Sequence, residues 1–138
     1  MNDSEANMTW ELYALLAAVL LGLVHLSAAS FSFRAQVGNT YAVGPRDEGL
    51  QPTGVSARLY RANANFLETF PYFATCVLAV RLLDVSGTLS QVGCMLYLGG
   101  RLAFLPLYAM GVPWLRTISW NFATLGLVFV GAQCLLAR

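Results

Sequence analysis

Lysine is absent from this chain: all eight basic residues are arginine, and charged residues of either sign make up only 11% of the sequence. A soluble domain carries about 25% charged residues, so the shortage points away from a water-exposed surface and toward a membrane interior. Net charge is +1, which supplies no electrostatic footprint for nucleic acid or for an acidic partner. Cysteine is sparse too. Cys76, Cys94 and Cys134 are odd in number, scattered through apolar segments and without a CxxC pair, a pattern that excludes a disulfide framework and a thiolate metal site and fits small core residues. The first residues include Asp3, Glu5 and Glu11 in place of a basic n-region, so the first apolar segment is expected to stay in the mature protein. Repeats, low-complexity tracts and a separate soluble domain are all missing, which leaves one domain over residues 1–138.

Long apolar runs fill that domain. No charge occurs from Leu12 to Phe33, enough residues for a spanning helix at 1.5 Å rise each. Residues 36–57 form a polar connection dense in Gly and Pro, the strongest local breakers. A second span begins near Arg58 and ends near Leu83, and a third follows the Asp84-Val85-Ser86-Gly87 turn as far as about Met110. The fourth covers Thr117 to Ala137 after Gly111-Val112-Pro113, where Pro113 suits the first turn of a helix. Short connections between neighbouring spans predict an all-α, antiparallel four-helix membrane bundle. Arg34, Arg46, Arg58, Arg61 and Arg116 fall on one side of this layout, and only Arg81 and Arg138 on the other. The excess of arginine marks the cytoplasmic side, so both termini are expected outside the cytoplasm. Trp10, Trp114 and Trp120 are placed as interfacial anchors.

The second span carries the most informative pattern. Arg58, Arg61, Asn65 and Glu68 stand at offsets of three, seven and ten, one stripe of a helix, and the stripe runs straight into a charge-free segment from Thr69 to Val80. Ionisable groups at mid-membrane cost about 2.5–3.5 kcal/mol each unless they pair or line a wet cavity. A cation, an amide and an anion in a row can hold a zwitterionic ligand; they can equally form an internal network that glues helices together. On the third span Arg101, Phe104 and Tyr108 share a face, and Arg116 and Thr117 follow in the next connection. If the spans are antiparallel, these groups reach the membrane level of Arg61. An arginine beside a thiol favours its thiolate, a role open to Arg116. His25, alone in an apolar span, reads as a core or interface residue; Pro71 reads as a kink that removes one helix hydrogen bond; Gly99-Gly100 permits close helix approach.

The run from Arg61 to Pro71, RANANFLETFP, resembles the signature R-A-x-x-N-x-x-E-x-x-P of the MAPEG family, the membrane-associated proteins of eicosanoid and glutathione metabolism. Every fixed position is present, and the layout of spans is similar over nearly the whole chain. The resemblance implies a homotrimer with glutathione bound between subunits near the cytoplasmic face and a lipophilic electrophile or hydroperoxide drawn from the bilayer. It further implies that Arg61, Asn65 and Glu68 hold the glutathione backbone and termini, that Arg101 and Tyr108 contact it from the third span, and that Arg116 stabilises the thiolate. Arg58 and Arg34 join the expected cofactor contacts, with Arg116 and Tyr108 as the catalytic pair.

Two positions depart from the catalytic pattern. Phe104 stands where catalytic relatives carry Tyr or His, which removes one hydrogen bond to glutathione. The basic cluster at the end of the first span is replaced by Val37, Gly38 and Thr40, with Arg34 nearby. A lipid-binding member without glutathione chemistry carries Asp at the position of Glu68, so the retained Glu favours an enzyme. The expected protein is therefore a microsomal glutathione transferase-like membrane enzyme, a transferase or peroxidase of a bacterial inner membrane. The alternative is a non-catalytic lipid-binding or scaffold member of the same fold. A small transporter, unrelated to that family, is disfavoured because no pair of broken helices is visible.

Overall fold

In a computed structural model, which describes residues 9–137, the chain forms four long helices and one short one. They are α1 (Trp10–Val37), α2 (Asn39–Val43), α3 (Gly54–Leu82), α4 (Thr88–Ala109) and α5 (Pro113–Leu136). Each of the four expected spans falls on a long helix, and three of them run one residue past its end, at Leu83, Met110 and Ala137. The polar connection differs: it holds the five-residue α2, and α3 starts at Gly54, four residues earlier than Arg58. Pro113 opens α5 within its first turn, where its missing N–H is one of those that lack a helical partner anyway.

Packing explains the outward hydrophobicity. On α1 the residues Ala14, Ala18, Leu21, His25, Ala29 and Phe33 recur every three or four positions and are buried, whereas Leu20 and Phe31 are 64% and 65% exposed. One stripe meets the other helices, and the remaining apolar surface faces outward, as it must where the surrounding solvent is hydrocarbon. Three helices, α1, α4 and α5, are long and apolar enough to cross a membrane. Helix α3 is as long as α1 but carries Arg58, Arg61, Glu68 and Arg81, and this polar load separates it from the other three.

Helices α4 and α5 share the most extensive contact, α1 lies along α3, and α3 also touches α4 and α5. Small residues set the α4–α5 seam. A Cβ added at Gly100 would sit 2.7 Å from the Ala123 nitrogen and the Ser119 carbonyl oxygen, and one at Gly93 2.7 Å from the Gly126 carbonyl oxygen. Gly99 has open space beside it, so of the Gly99-Gly100 pair only Gly100 mediates the close approach. The Ser119 hydroxyl donates to the Gly100 carbonyl across the seam. Helix α3 runs unbroken through Pro71, and α4 through Pro106; the Thr75 hydroxyl donates to the Pro71 carbonyl at 2.7 Å.

The two ends of the molecule are built differently. At one end Glu11 is fully buried and its Oε1 accepts from the Ser86 and Ser90 hydroxyls, which ties the start of α1 to the α3–α4 turn. Gln133 of α5 donates to the Val85 carbonyl of the same turn at 2.9 Å. Asp3, Glu5 and Arg138 lie outside the described residues. At the other end stand the α1–α3 connection, the α4–α5 turn and the polar stripe.

His25 is a core residue, as expected: it is buried, its Nδ1 is 3.0 Å from the Leu21 carbonyl oxygen, and its ring stacks on Phe66 at 4.7 Å. A carbonyl only accepts, so the proton in that bond is on Nδ1. Cys94 is buried in the main core cluster, and Cys76 and Cys134 pack at its edge as free thiols.

Candidate functional site

The site is assembled from the facing ends of three helices. Tyr108, in the last turn of α4, lies between two arginines: the guanidinium carbon of Arg116 is 4.5 Å from its ring centroid and that of Arg61 is 6.0 Å away. Phe104, one turn earlier, meets Tyr108 edge to face at 5.3 Å. A cavity of about 210 Å³ opens here, lined by Asn65, Phe104, Tyr108, Arg116, Thr117 and Trp120. The antiparallel reading placed Tyr108 at the level of Arg61, and the contact between them agrees.

Arg101 is the buried partner of this cluster. It is wholly enclosed, donates from Nη1 to Asn65 Oδ1 at 2.7 Å and from Nη2 to Thr69 Oγ1 at 2.6 Å, and lies over the faces of Tyr97 and Phe104 at 5.7 and 5.4 Å. Thr69 in turn is 3.2 Å from the Tyr97 hydroxyl. Tyr97 is clamped by stacking on Phe73 at 3.9 Å. A buried guanidinium survives through hydrogen bonds and ring faces of this kind. Its Nε is buried and has no partner.

The rest of the stripe is free. Arg61 and Glu68 are exposed on α3, and among the described residues Glu68 takes part in no hydrogen bond or ion pair; the one ion pair, Arg81–Asp84 at 3.6 Å, is elsewhere. The internal Arg61–Asn65–Glu68 network considered from sequence does not form within the chain, because Asn65 is engaged by Arg101 instead. Three guanidiniums thus stand around one tyrosine–phenylalanine pair with a single unpaired carboxylate on the same helix face. Such a surface offers counter-charge to an anion and one acceptor for a cationic group.

Arg58 and Arg34 are placed otherwise. Arg58 donates from Nε to the Ala109 carbonyl at 2.9 Å and packs beside Gly111, whose φ of +73° is the left-handed turn that glycine permits. It clamps the α4–α5 turn that presents Arg116. Arg34 donates from Nε to Asn39 Oδ1 at 2.5 Å and lines a different cavity with Arg46 and Tyr60, so within one chain it does not join the Tyr108 cluster.

Sequence reasoning missed Thr69, Tyr97 and Trp120. Thr69 lies four residues from Asn65, and Trp120 four from Arg116, so helical spacing carried the signal. Trp120, expected as an interfacial anchor, is half-buried in the cavity wall, and its indole N–H is buried with no partner among the described residues.

Helices with apolar outer faces, three of them long and apolar enough to cross a membrane, define an integral membrane protein that carries a cationic pocket at one end. The MAPEG family model matches residues 11–136, nearly the whole chain, and the chain belongs to the MAPEG family. No curated protein matches it.

Proposed function

We propose that the Tyr108 cluster binds glutathione and that the protein is a membrane transferase or peroxidase of the microsomal glutathione transferase type. The observation that carries this reading is the Arg61–Tyr108–Arg116 cluster, with the unpaired Glu68 two turns from Arg61 on the same face of α3. The family includes glutathione-dependent enzymes and non-catalytic members, and glutathione carries two carboxylates and one ammonium. The residues fit that charge pattern: Arg61 and Arg116 face the carboxylates and the thiol, and Glu68 accepts from the ammonium. Asn65, fixed by Arg101, presents an amide to the peptide backbone, and the free Trp120 N–H and Tyr108 hydroxyl add donors.

When bound, glutathione supplies a sulfur nucleophile for an electrophilic carbon, or one of the two thiols, the other from a second glutathione, that become a disulfide as a hydroperoxide is reduced to alcohol and water. Arg116 holds the sulfur in its charged form, because guanidinium keeps its proton at any working pH. Tyr108 fixes the Arg116 guanidinium by lying under it. The apolar flanks of α4 and α5 admit a lipophilic electrophile or hydroperoxide from the bilayer.

Arg61 and Glu68 face outward from a helix that sits among spanning helices, an arrangement costing about 2.5–3.5 kcal/mol per charge in hydrocarbon. A neighbouring copy relieves that cost, which supports a homotrimer of antiparallel four-helix bundles, each chain a single domain. In the same reading the protein resides in a bacterial inner membrane, the site faces the cytoplasm and both termini lie on the opposite side.

One observation favours the non-catalytic alternative: Phe104, 3% exposed, offers the site no hydroxyl or imidazole. Equilibrium titration of the purified protein with glutathione decides between the two. Saturable binding supports the enzyme, and its absence leaves a lipid-binding or scaffold role.

A further inference from the structure

A second arginine-lined cavity lies apart from the Tyr108 cluster within one chain. It measures about 220 Å³ and is bounded by Ser30, Phe31, Phe33 and Arg34 of α1, Ala42 and Val43 of α2, Arg46, and Tyr60 of α3. Both arginines are exposed, and among the described residues neither pairs with an acid. Asp47 and Glu48 follow Arg46 in sequence but do not line the cavity.

The local structure holds these guanidiniums in place. Arg46 has a φ of +63°, the left-handed region that a non-glycine residue rarely occupies. This conformation turns its side chain back along α2, where Nη2 and Nε both donate to the Ala42 carbonyl, at 2.7 and 3.2 Å. The Tyr41 hydroxyl accepts from the Leu50 N–H at 2.8 Å and so pins the far side of the loop. Phe33 forms a buried floor, edge-on to Tyr41 at 6.2 Å and to Tyr60 at 5.9 Å. Arg34 spends one of its five N–H groups on Asn39, and Arg46 spends two; the others have no acceptor in the described residues.

Outside the floor the cavity is amphipathic. Phe31 and Val43 are 65% and 80% exposed at its mouth, and Leu20, Val24 and Phe31 continue along one exposed face of α1 away from the loop. A ligand held here has a negatively charged, acceptor-rich group against two guanidiniums and an apolar body lying along a spanning helix. Loop-side basic pockets between membrane helices have the charge and position to bind phosphate head groups.

We infer that Arg34 and Arg46 form a binding site for the phosphodiester head group of an anionic phospholipid, with its acyl chains along Phe31, Val24 and Leu20. The guanidiniums donate to the two non-bridging phosphate oxygens, and a zwitterionic lipid is disfavoured because its added cation meets two fixed positive charges.

The test is the association of spin-labelled phosphatidylglycerol against spin-labelled phosphatidylcholine with the full chain reconstituted in phosphatidylcholine membranes, without glutathione. Each juxtamembrane arginine contributes about fivefold. The wild type is expected to prefer phosphatidylglycerol by about 25-fold at this site, R46Q and R34Q each to reduce that preference by about fivefold, and R81Q at the opposite end to leave it unchanged. R46K, which keeps the charge, is expected to retain most of it. Preference unchanged in both Gln variants overturns the proposal. So does saturable binding of inorganic phosphate at Arg34 and Arg46 with no preference between the two lipids, which would assign the cavity to a soluble phosphate.

Discussion

The Arg116 guanidinium lies over the Tyr108 ring at 4.5 Å, a contact between the first turn of α5 and the last full turn of α4. Because Arg58 fixes the intervening turn through the Ala109 carbonyl, the geometry of this pair is set by the fold and needs no ligand to form. The ring, more than the hydroxyl, is what positions the cation.

Arg116→Leu is expected to lower the thiolate fraction of bound glutathione at neutral pH about tenfold, which corresponds to ~1.4 kcal/mol. Ultraviolet difference spectra at saturating glutathione read this directly. Tyr108→Phe should retain most of the signal and Tyr108→Ala should lose it. Full thiolate absorbance in Arg116→Leu would remove Arg116 from the role.

Glu68→Gln is expected to weaken glutathione binding by roughly 1.5–3 kcal/mol, the range for a hydrogen bond to a charged group. Since Glu68 has no partner among the described residues, thermal unfolding of the dispersed subunit should hardly change. Calorimetric titration beside a size measurement separates the outcomes: dissociated oligomers with unchanged affinity would make Glu68 a subunit contact instead.

Arg101→Met leaves the half-buried Asn65 Oδ1 without its donor, at about 1–3 kcal/mol, whereas Thr69 keeps the Tyr97 hydroxyl. A double-mutant cycle with Thr69→Val should show coupling of about 0.5–3 kcal/mol. Additive effects in thermal unfolding would show that the two side chains act independently.

Neighbouring glycines should behave differently. Gly100→Ala forces a Cβ against α5 backbone atoms 2.7 Å away, so a loss of about 1–3 kcal/mol is expected from overpacking. Gly99→Ala meets open space and should be neutral or slightly stabilising, since Ala exceeds Gly in helix propensity by about 1 kcal/mol. Unfolding midpoints in detergent compare the two.

Cysteines introduced at Gly49 and Asp84, both exposed and at opposite ends, should label from opposite sides of the membrane. An impermeant reagent on intact cells should reach Asp84→Cys and not Gly49→Cys. The reverse pattern would invert the topology and move the site outside.

The long helices were legible because their apolar runs and Gly/Pro breaks are local signals. Helix α3 was legible through its charged stripe, although that same stripe makes it the least apolar of the four. The Tyr108–Arg61 level followed from antiparallel connection alone. Which polar groups would pair was not legible: Arg101 reaches Asn65 and Thr69 across two helices, and that choice depends on rotation of α4 about its axis. Glu11 read as one more acidic residue near the start of the chain, yet it is buried against Ser86 and Ser90, residues far away in sequence. The closeness of Gly93 to Gly126 depends in the same way on the register of two helices.

The Glu11–Ser86–Ser90 knot has a mechanical consequence. It fastens α1 and the α3–α4 turn at the end remote from Tyr108, with Gln133 of α5 fastened to the same turn. Parting α1 from that turn would strand a buried carboxylate oxygen and two hydroxyls, at about 1–3 kcal/mol per group, so the helices stay joined at this end when the bundle flexes.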